Sequence, residues 1–224
     1  MNERMVRAKE VFKRYGMLWV VAGLLFSCGN NQESSGDRSS RLDSLEYTTD
    51  QQSTPINKDT LILELTNEIL TVFKEKEYQR LVEFFHPTLG VRFSPYGYVD
   101  TTSHLAFSAS SFQEAIEEDT SLIWGSYDGT GDDILLTPTD YFEKFVYDVD
   151  FLDAEETSVN RFLGKGNTLN NLRTIYPGSE FSESYFSGFE AKYGGMDWRS
   201  LRLVFRPHEG ELYLVAVIHD QWTI

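Results

Sequence analysis

The fold is decided near the carboxyl end of the chain, by residues 201–218, LRLVFRPHEGELYLVAVI. From Leu201 to Phe205, apolar residues recur at every second position, which predicts a β-strand. Residues 207–210, PHEG, predict a turn. Residues 212–218 favour a strand with apolar side chains on both faces, which is typical of a strand in the centre of a sheet.

Helical patterns precede this hairpin. Apolar residues between Ile62 and Phe73 recur at helical spacing, and we expect Asp59 or Thr60 to cap this helix. A second short apolar face follows at residues 78–85. Because helices come first and strands last, the sequence predicts an α+β domain, with a curved antiparallel sheet packed on N-terminal helices.

Several shorter elements are predicted between these two regions. Pro95 makes the extended residues 90–99 an edge strand or a bent one. The others are a helix opened by the capping box Ser111-Phe112-Gln113-Glu114, a hairpin of residues 122–127 and 134–137, a helix begun by Thr137-Pro138, and a strand at Phe181–Phe186.

Residues 1–27 have the form of an export signal. Five basic residues lie among the first 14, and the apolar run that follows, residues 16–26, spans roughly 16 Å as a helix, too short for a bilayer core of about 30 Å. The run ends in Leu25-Phe26-Ser27-Cys28, which resembles the lipobox of bacterial lipoproteins. The resemblance implies cleavage before Cys28 and acylation of that residue with chains such as palmitate. The alternative is an uncleaved signal-anchor, with Cys28 an incidental thiol.

The remaining chain divides into a tether and a domain. Residues 28–57 are predicted to be the lipidated Cys followed by a flexible polar tether, because they contain too few large apolar residues to offset the entropy of ordering. Residues 58–224 are of ordinary size for a single globular α+β domain. The predicted location is therefore the bacterial cell envelope, periplasmic or surface-exposed, with membrane lipid as a partner through Cys28.

The composition excludes several classes of protein. The chain has 35 acidic and 20 basic residues, a formal net charge of −15, which argues against a nucleic-acid partner. Its single Cys excludes an internal disulfide and a Cys-based metal centre. The aspartates of the hairpin tip, residues 128–133, do not follow the EF-hand spacing. We therefore predict no cofactor and no metal.

The order and lengths of the predicted elements resemble the cone-shaped superfamily that includes ketosteroid isomerase and nuclear transport factor. That resemblance implies an apolar pocket inside the cone, in a superfamily of enzymes, binding modules and structural domains. A second resemblance, to an uncharacterised domain of bacterial exported proteins, brings no known activity. It is carried by His86-Pro87, by residues 90–96 (GVRFSPY), by residues 195–201 (GMDWRSL) and by residues 219–224 (HDQWTI).

His219 and Asp220 close the last predicted strand. His219 is a candidate general base or one arm of a metal site. Because neighbouring strand residues point to opposite faces, Asp220 is not expected to orient it. The alternative is a polar strand end at which Trp222 closes the core.

Two further groups are candidate binding residues. His86, Arg92 and Tyr96 lie around a helix-to-strand corner, where they can hold an anionic ligand, since Arg presents a planar fork to carboxylates. Trp198 and Arg199 offer a stacking plane and a fork to a sugar or a peptide. The structural alternatives are an ordinary helix stop at His86, an outward strand residue at Arg92 and, at the second group, an Asp197–Arg199 ion pair across a turn.

These observations favour a membrane-anchored envelope lipoprotein that is a ligand-binding or structural module. Its ligand is a small molecule, a sugar or a peptide, and exposed Trp and Tyr side chains are one way to form such a surface. The alternative is a small cone-fold enzyme of the isomerase or hydrolase type, with a pocket carboxylate or histidine as general base. A pocket filled by Phe and Tyr favours a structural domain, and a deep pocket that holds a buried carboxylate or His with a displaced pKa favours the enzyme.

Overall fold

The computed structural model describes residues 57–164, 166 and 169–223. The predicted export signal, Cys28 and the predicted tether as far as residue 56 lie outside the described residues. The described chain is α+β, as predicted, with a six-stranded sheet, a separate two-stranded hairpin and several helices.

The strands form one large sheet in the order β2-β1-β8-β7-β6-β5 and one hairpin, β3-β4. They are β1 (Val91–Ser94), β2 (Ala106–Phe107), β3 (Leu122–Ser126), β4 (Asp133–Leu136), β5 (Glu156–Val159), β6 (Glu180–Phe186), β7 (Arg199–His208) and β8 (Glu211–Gln221). β8 lies between β1 and β7, as its apolar residues on both faces predict. β1 runs parallel to β8, so the expectation of a wholly antiparallel sheet is wrong at this pair.

β1 is shorter and more central than predicted. It ends at Ser94, before Pro95, whose missing N–H cannot continue the ladder. On its outer side, the two-residue strand β2 pairs Val91 with Phe107. β2 therefore forms the edge of the sheet, and β1 does not.

A bulge interrupts the pairing of β7 with β8. Val204 pairs with Ala216, whereas Phe205 pairs with Leu214, so Val215 is an extra residue on β8. The extra residue shifts the alternation of the β8 side chains by one position. On each side of the bulge, successive side chains point to opposite faces of the sheet.

The first helix, α1 (Lys58–Lys74), is capped by Asn57, whose side chain accepts a hydrogen bond from the backbone N–H of Asp59 at 3.1 Å. The expected caps, Asp59 and Thr60, lie inside the helix instead. The second apolar face, Tyr78–Phe84, is a 3₁₀ helix.

The other helices follow local cap signals. The remaining helices are α2 (Ala109–Glu118), α3 (Pro138–Phe145), α4 (Leu172–Ile175) and two 3₁₀ turns, Phe151–Asp153 and Ala191–Tyr193. Ser108 and Ser111 form a reciprocal capping box, so α2 begins three residues earlier than expected and its cap is Ser108, not Ser111. Thr137 caps α3, which begins at Pro138, as predicted.

The sheet buries apolar side chains on both faces. On the face toward α1 and α3, the core is rich in aromatic rings that have almost no exposed surface: Phe73, Phe93, Phe112, Trp124, Tyr141 and Phe142. The rings of Trp124 and Tyr141 stack with centroids 3.9 Å apart. A smaller cluster on the opposite face includes Val204, Ile218 and Leu172 of α4.

Candidate functional site

A carboxylate, an imidazole and a guanidinium meet on the helix-facing side of the sheet. His219 stands near the end of β8, Arg199 opens β7, and Asp148 follows α3. Asp148 Oδ1 lies 3.1 Å from His219 Nε2, and Asp148 Oδ2 accepts a hydrogen bond from Arg199 Nε at 2.7 Å. Burial opposes the charge on Asp148, but its two basic partners outweigh burial and lower its pKa.

The His219 ring is enclosed. Its side chain has no exposed surface, and the rings of Phe145 and Phe151 meet it edge-on at 6.4 and 6.5 Å. Its Nδ1 is buried and has no hydrogen-bond partner. Trp222, which was expected to close the core here, is 44% exposed. The His219 ring, including the nitrogen that faces Asp148, is therefore shielded from solvent.

A second charged network lies on the opposite face of the sheet. Arg202 Nη2 is 2.9 Å from both Glu183 Oε1 and Asp220 Oδ2, and all three residues are buried. The Ser200 hydroxyl donates to Glu183. Burial raises the pKa of Asp220, although Arg202 opposes this shift. As expected from strand alternation, Asp220 therefore does not orient His219.

Close-fitting glycines cover this network. A Cβ atom on Gly97 would lie 2.5 Å from Asp220 Oδ2, and one on Gly164 would lie 2.8 Å from the Trp198 ring. The Gly164 N–H also donates to Glu183 Oε1 at 3.0 Å. The network thus fastens two loops to the sheet, and its arrangement supports a structural role.

The predicted pair Trp198 and Arg199 does not form an open binding surface. Trp198 is 4% exposed, so its ring offers no stacking plane to a ligand in solution. Arg199 pairs with Asp148 rather than with Asp197. The Asp197 carboxylate instead accepts the backbone N–H groups of residues 189 and 190, at 3.0 and 2.8 Å.

His86, Arg92 and Tyr96 have three different sets of partners. His86 is buried, and its Nδ1 accepts the backbone N–H groups of residues 88 and 89. Burial lowers the pKa of His86, which disfavours the cation that an anionic ligand would need. Arg92 donates to the backbone carbonyl of His104. The structure does not assemble the expected anion site from these three residues.

Tyr96 contributes instead to an open cleft of about 270 Å³ between the β1–β2 connection and the β3–β4 hairpin. The Tyr96 hydroxyl accepts the backbone N–H of Asp128 at 3.3 Å and so ties the two walls together. Tyr98 is 48% exposed at its rim. We call this feature the tyrosine cleft; its lining is Tyr96, Tyr98, Asp100, Ser103, His104, Ser126, Tyr127 and Asp128.

The ionisable groups of the tyrosine cleft are held in defined states. His104 Nδ1 accepts the backbone N–H of Asp100 at 3.1 Å and lies 2.8 Å from the Ser94 hydroxyl. Burial lowers the pKa of His104 to about 4, so the ring is neutral at pH 7. Hydrogen bonds from Thr102 and Ser103 lower the pKa of Asp100, which is therefore charged.

The sequence predicted Tyr96 and His219 as candidate site residues, but it did not predict His104 and Asp148. Asp148 lies 71 residues before His219, in a mixed stretch without a motif. His104 lies in a connection between two short strands, where no periodicity marks it. Asp148 reaches His219 through tertiary packing, whereas His104 contacts Asp100 and Ser94, which lie 4 and 10 residues before it.

No protein-family model matches the chain, and no curated protein matches it in sequence. Within residues 57–164, 166 and 169–223, no helix combines the length and the hydrophobicity needed to cross a bilayer. The same described part of the chain has no group of three His, Cys, Asp or Glu side chains placed to hold a metal ion.

Proposed function

We propose that this chain is a lipid-anchored protein of the bacterial cell envelope, and that its domain binds a ligand at the tyrosine cleft rather than performing catalysis. The lipobox-like Leu25-Phe26-Ser27-Cys28 supports the anchor. Several acyl chains, each contributing roughly 0.8 kcal/mol per buried CH₂, are enough for stable attachment.

One observation carries the binding function. Aromatic rings fill the core between the helices and the sheet, whereas the tyrosine cleft opens at the surface beside that core. Tyr141 and Trp124 have no exposed surface, while Tyr98, in the cleft, is half exposed. A small ligand can therefore reach the rings of the cleft without displacing the core.

The finer fold assignment is part of this proposal. The helices precede the main strands, and β8 lies between a parallel and an antiparallel neighbour, an arrangement that suits a sheet curved around α1 and α3. The resemblance to the cone-shaped superfamily implies an apolar pocket inside the cone. In this domain, buried rings such as Phe93 and Phe142 fill the core between the helices and the sheet, which supports a binding or structural module over an enzyme.

Metabolic labelling with palmitate tests the anchor. We expect label and membrane fractionation for the wild-type chain and for the control Ser34→Ala in the tether, and neither for Cys28→Ser. A wild-type chain that takes up no label, or a Cys28→Ser variant that still does, would contradict the lipid anchor.

A second candidate function rests on the Asp148–His219 pair. Its 3.1 Å geometry suits a general base of a small hydrolase, with Arg199 holding the carboxylate. This candidate requires the enclosing ring of Phe145 or Phe151 to move, because His219 is fully buried. Hydrolysis of p-nitrophenyl acetate that is lost in His219→Gln would favour it, and a rate equal to that of buffer would exclude this ester chemistry.

A further inference from the structure

We infer that the tyrosine cleft binds an organic cation that carries a methylated ammonium group. The inference rests on the proposed binding function. Two carboxylates, three phenol rings and a neutral imidazole converge on one small opening. Together these features favour a compact positive charge that carries apolar surface, because the carboxylates attract the charge and the rings contact the apolar surface.

The tyrosine cleft carries negative charge. The Asp100 carboxylate is held in its ionised form by neutral hydroxyl and N–H donors of Thr102 and Ser103. Within the described residues, neither Asp100 nor Asp128 forms an ion pair. The cleft therefore presents negative charge that no side chain of its lining neutralises.

The tyrosine rings of the cleft attract a cation. A cation over the face of a tyrosine is attracted by the ring quadrupole, by about 0.5–2 kcal/mol depending on desolvation. Tyr127 already receives such a charge, since Lys144 Nζ lies 4.6 Å from the centroid of its ring and donates to its hydroxyl at 2.8 Å. Tyr98, at the exposed rim, is open to a cation from solution.

The imidazole of His104 does not repel a cation in the cleft. Because the pKa of His104 is about 4, its ring carries no charge at neutral pH. Arg92 donates to the backbone carbonyl of His104. Lys144 and Arg92 are the cations that contact residues of the lining, and they are expected to weaken, not to prevent, the binding of a further positive charge.

Size limits the ligand. Clefts for drug-sized molecules hold roughly 300–1,000 Å³, and this one, at about 270 Å³, falls just below that range. A trimethylammonium group with a short polar tail is of suitable size. A long oligosaccharide or peptide would extend beyond the lining.

The probe is choline, compared with its neutral isostere 3,3-dimethylbutan-1-ol, each titrated calorimetrically into the full chain in a non-ionic polyoxyethylene detergent. We expect choline to bind roughly tenfold more tightly than the isostere, and to bind more weakly as salt is added. Equal affinities would overturn the inference.

Variants locate the site. Tyr98→Ala and Asp128→Asn should each weaken choline binding several-fold, roughly in the range of one cation–π or charge contact. Asp133→Asn is the matched control, because Asp133 is an exposed aspartate of the same hairpin that does not line the cleft. Lys144→Gln should tighten choline binding, which a neutral ligand would not show.

The outcomes separate the two proposals. If the isostere or glucose binds in a Tyr98-dependent manner while choline does not, the binding function stands and the cation inference is overturned. If choline binds equally to wild type and Tyr98→Ala, the cleft is not its site, and the inference fails. If none of the three probes binds at millimolar concentration, the inference fails, and the proposed function loses its support at this cleft.

Discussion

Arg202 is a buried cation that is paired with two buried carboxylates. Its guanidinium has 1% exposed surface and lies between Glu183 and Asp220, whose side chains are also buried. Taking charges out of water is costly, and the mutual attraction of the group offsets that cost only while every partner is present. Removing the one cation leaves two carboxylates facing each other.

Replacing Arg202 is therefore expected to destabilise the fold strongly. Arg202→Met should lower the free energy of unfolding by about 3–5 kcal/mol, measured by urea denaturation at pH 7. The matched control is Arg206→Met, on the same strand, because Arg206 is half-buried and donates to Ser179 Oγ and to a backbone carbonyl. Equal losses in the two variants would show that the buried network contributes nothing special.

His104 predicts a dependence of stability on pH. Its pKa is about 4 in the folded chain, against 6.5 for an ordinary His, so the unfolded state binds more protons between these values. Stability from the neutral ring is fully present above pH 6.5 and is lost as the pH falls toward 4.

The comparison with His104→Asn isolates this effect, because Asn keeps an acceptor for the Asp100 N–H but does not titrate. The difference in unfolding free energy between wild type and variant should be constant from pH 7.5 to 8.5 and should shift against the wild type below pH 6. A difference that stays constant down to pH 4 would contradict the assigned shift.

At the residue scale, the sequence predicted the face to which a side chain points better than the residues that it contacts. Strand alternation correctly placed His219 and Asp220 on opposite faces, because it is a local property of the backbone. It could not supply Asp148 or Arg202 as their partners, since these residues come from other elements.

At the scale of elements, α3 and the β3–β4 hairpin were predicted because their signals are local. Thr137 and Pro138 mark the start of α3, and a Gly- and Asp-rich tip at residues 128–133 joins the two strands of the hairpin. The parallel pairing of β1 with β8 was not predicted, because it joins segments more than a hundred residues apart. Nothing in the local pattern of residues 91–94 distinguishes parallel from antiparallel pairing.

The cap of α3 offers a measurement at this scale. The Thr137 side chain accepts the backbone N–H of Asp140, at 3.2 Å, and the helix carries Tyr141 and Phe142 into the core. Thr137→Ala should cost about 1 kcal/mol in unfolding free energy, as for other N-cap residues. Thr139→Ala, inside the first turn, serves as control and should cost less. A Thr137→Ala variant as stable as wild type would show that Pro138 and core packing fix the helix without the cap.

At the scale of the whole molecule, the described chain begins with the cap of its first helix. Asn57 belongs to the fold because it caps α1, and Lys58 forms an ion pair with Glu180 of β6. Asn57, the last residue of the predicted tether, therefore takes part in the fold of the domain.

A fragment of residues 56–224 tests where the fold begins. It should unfold in one cooperative transition at the same temperature as the full chain, because the core of the described residues begins at Ile62. In the same fragment, Asn57→Ala should lower stability by about 1 kcal/mol through loss of the cap. A fragment that shows no cooperative transition would mean that residues 1–55 are part of the fold.

We propose that lipid on Cys28 holds the domain at a membrane. The intact mass of the chain purified from a bacterial membrane fraction tests this anchor most directly. We expect the mass of residues 28–224 plus acyl groups. An unmodified mass of residues 1–224 would contradict it, because the apolar run would then be an uncleaved anchor and Cys28 a free thiol.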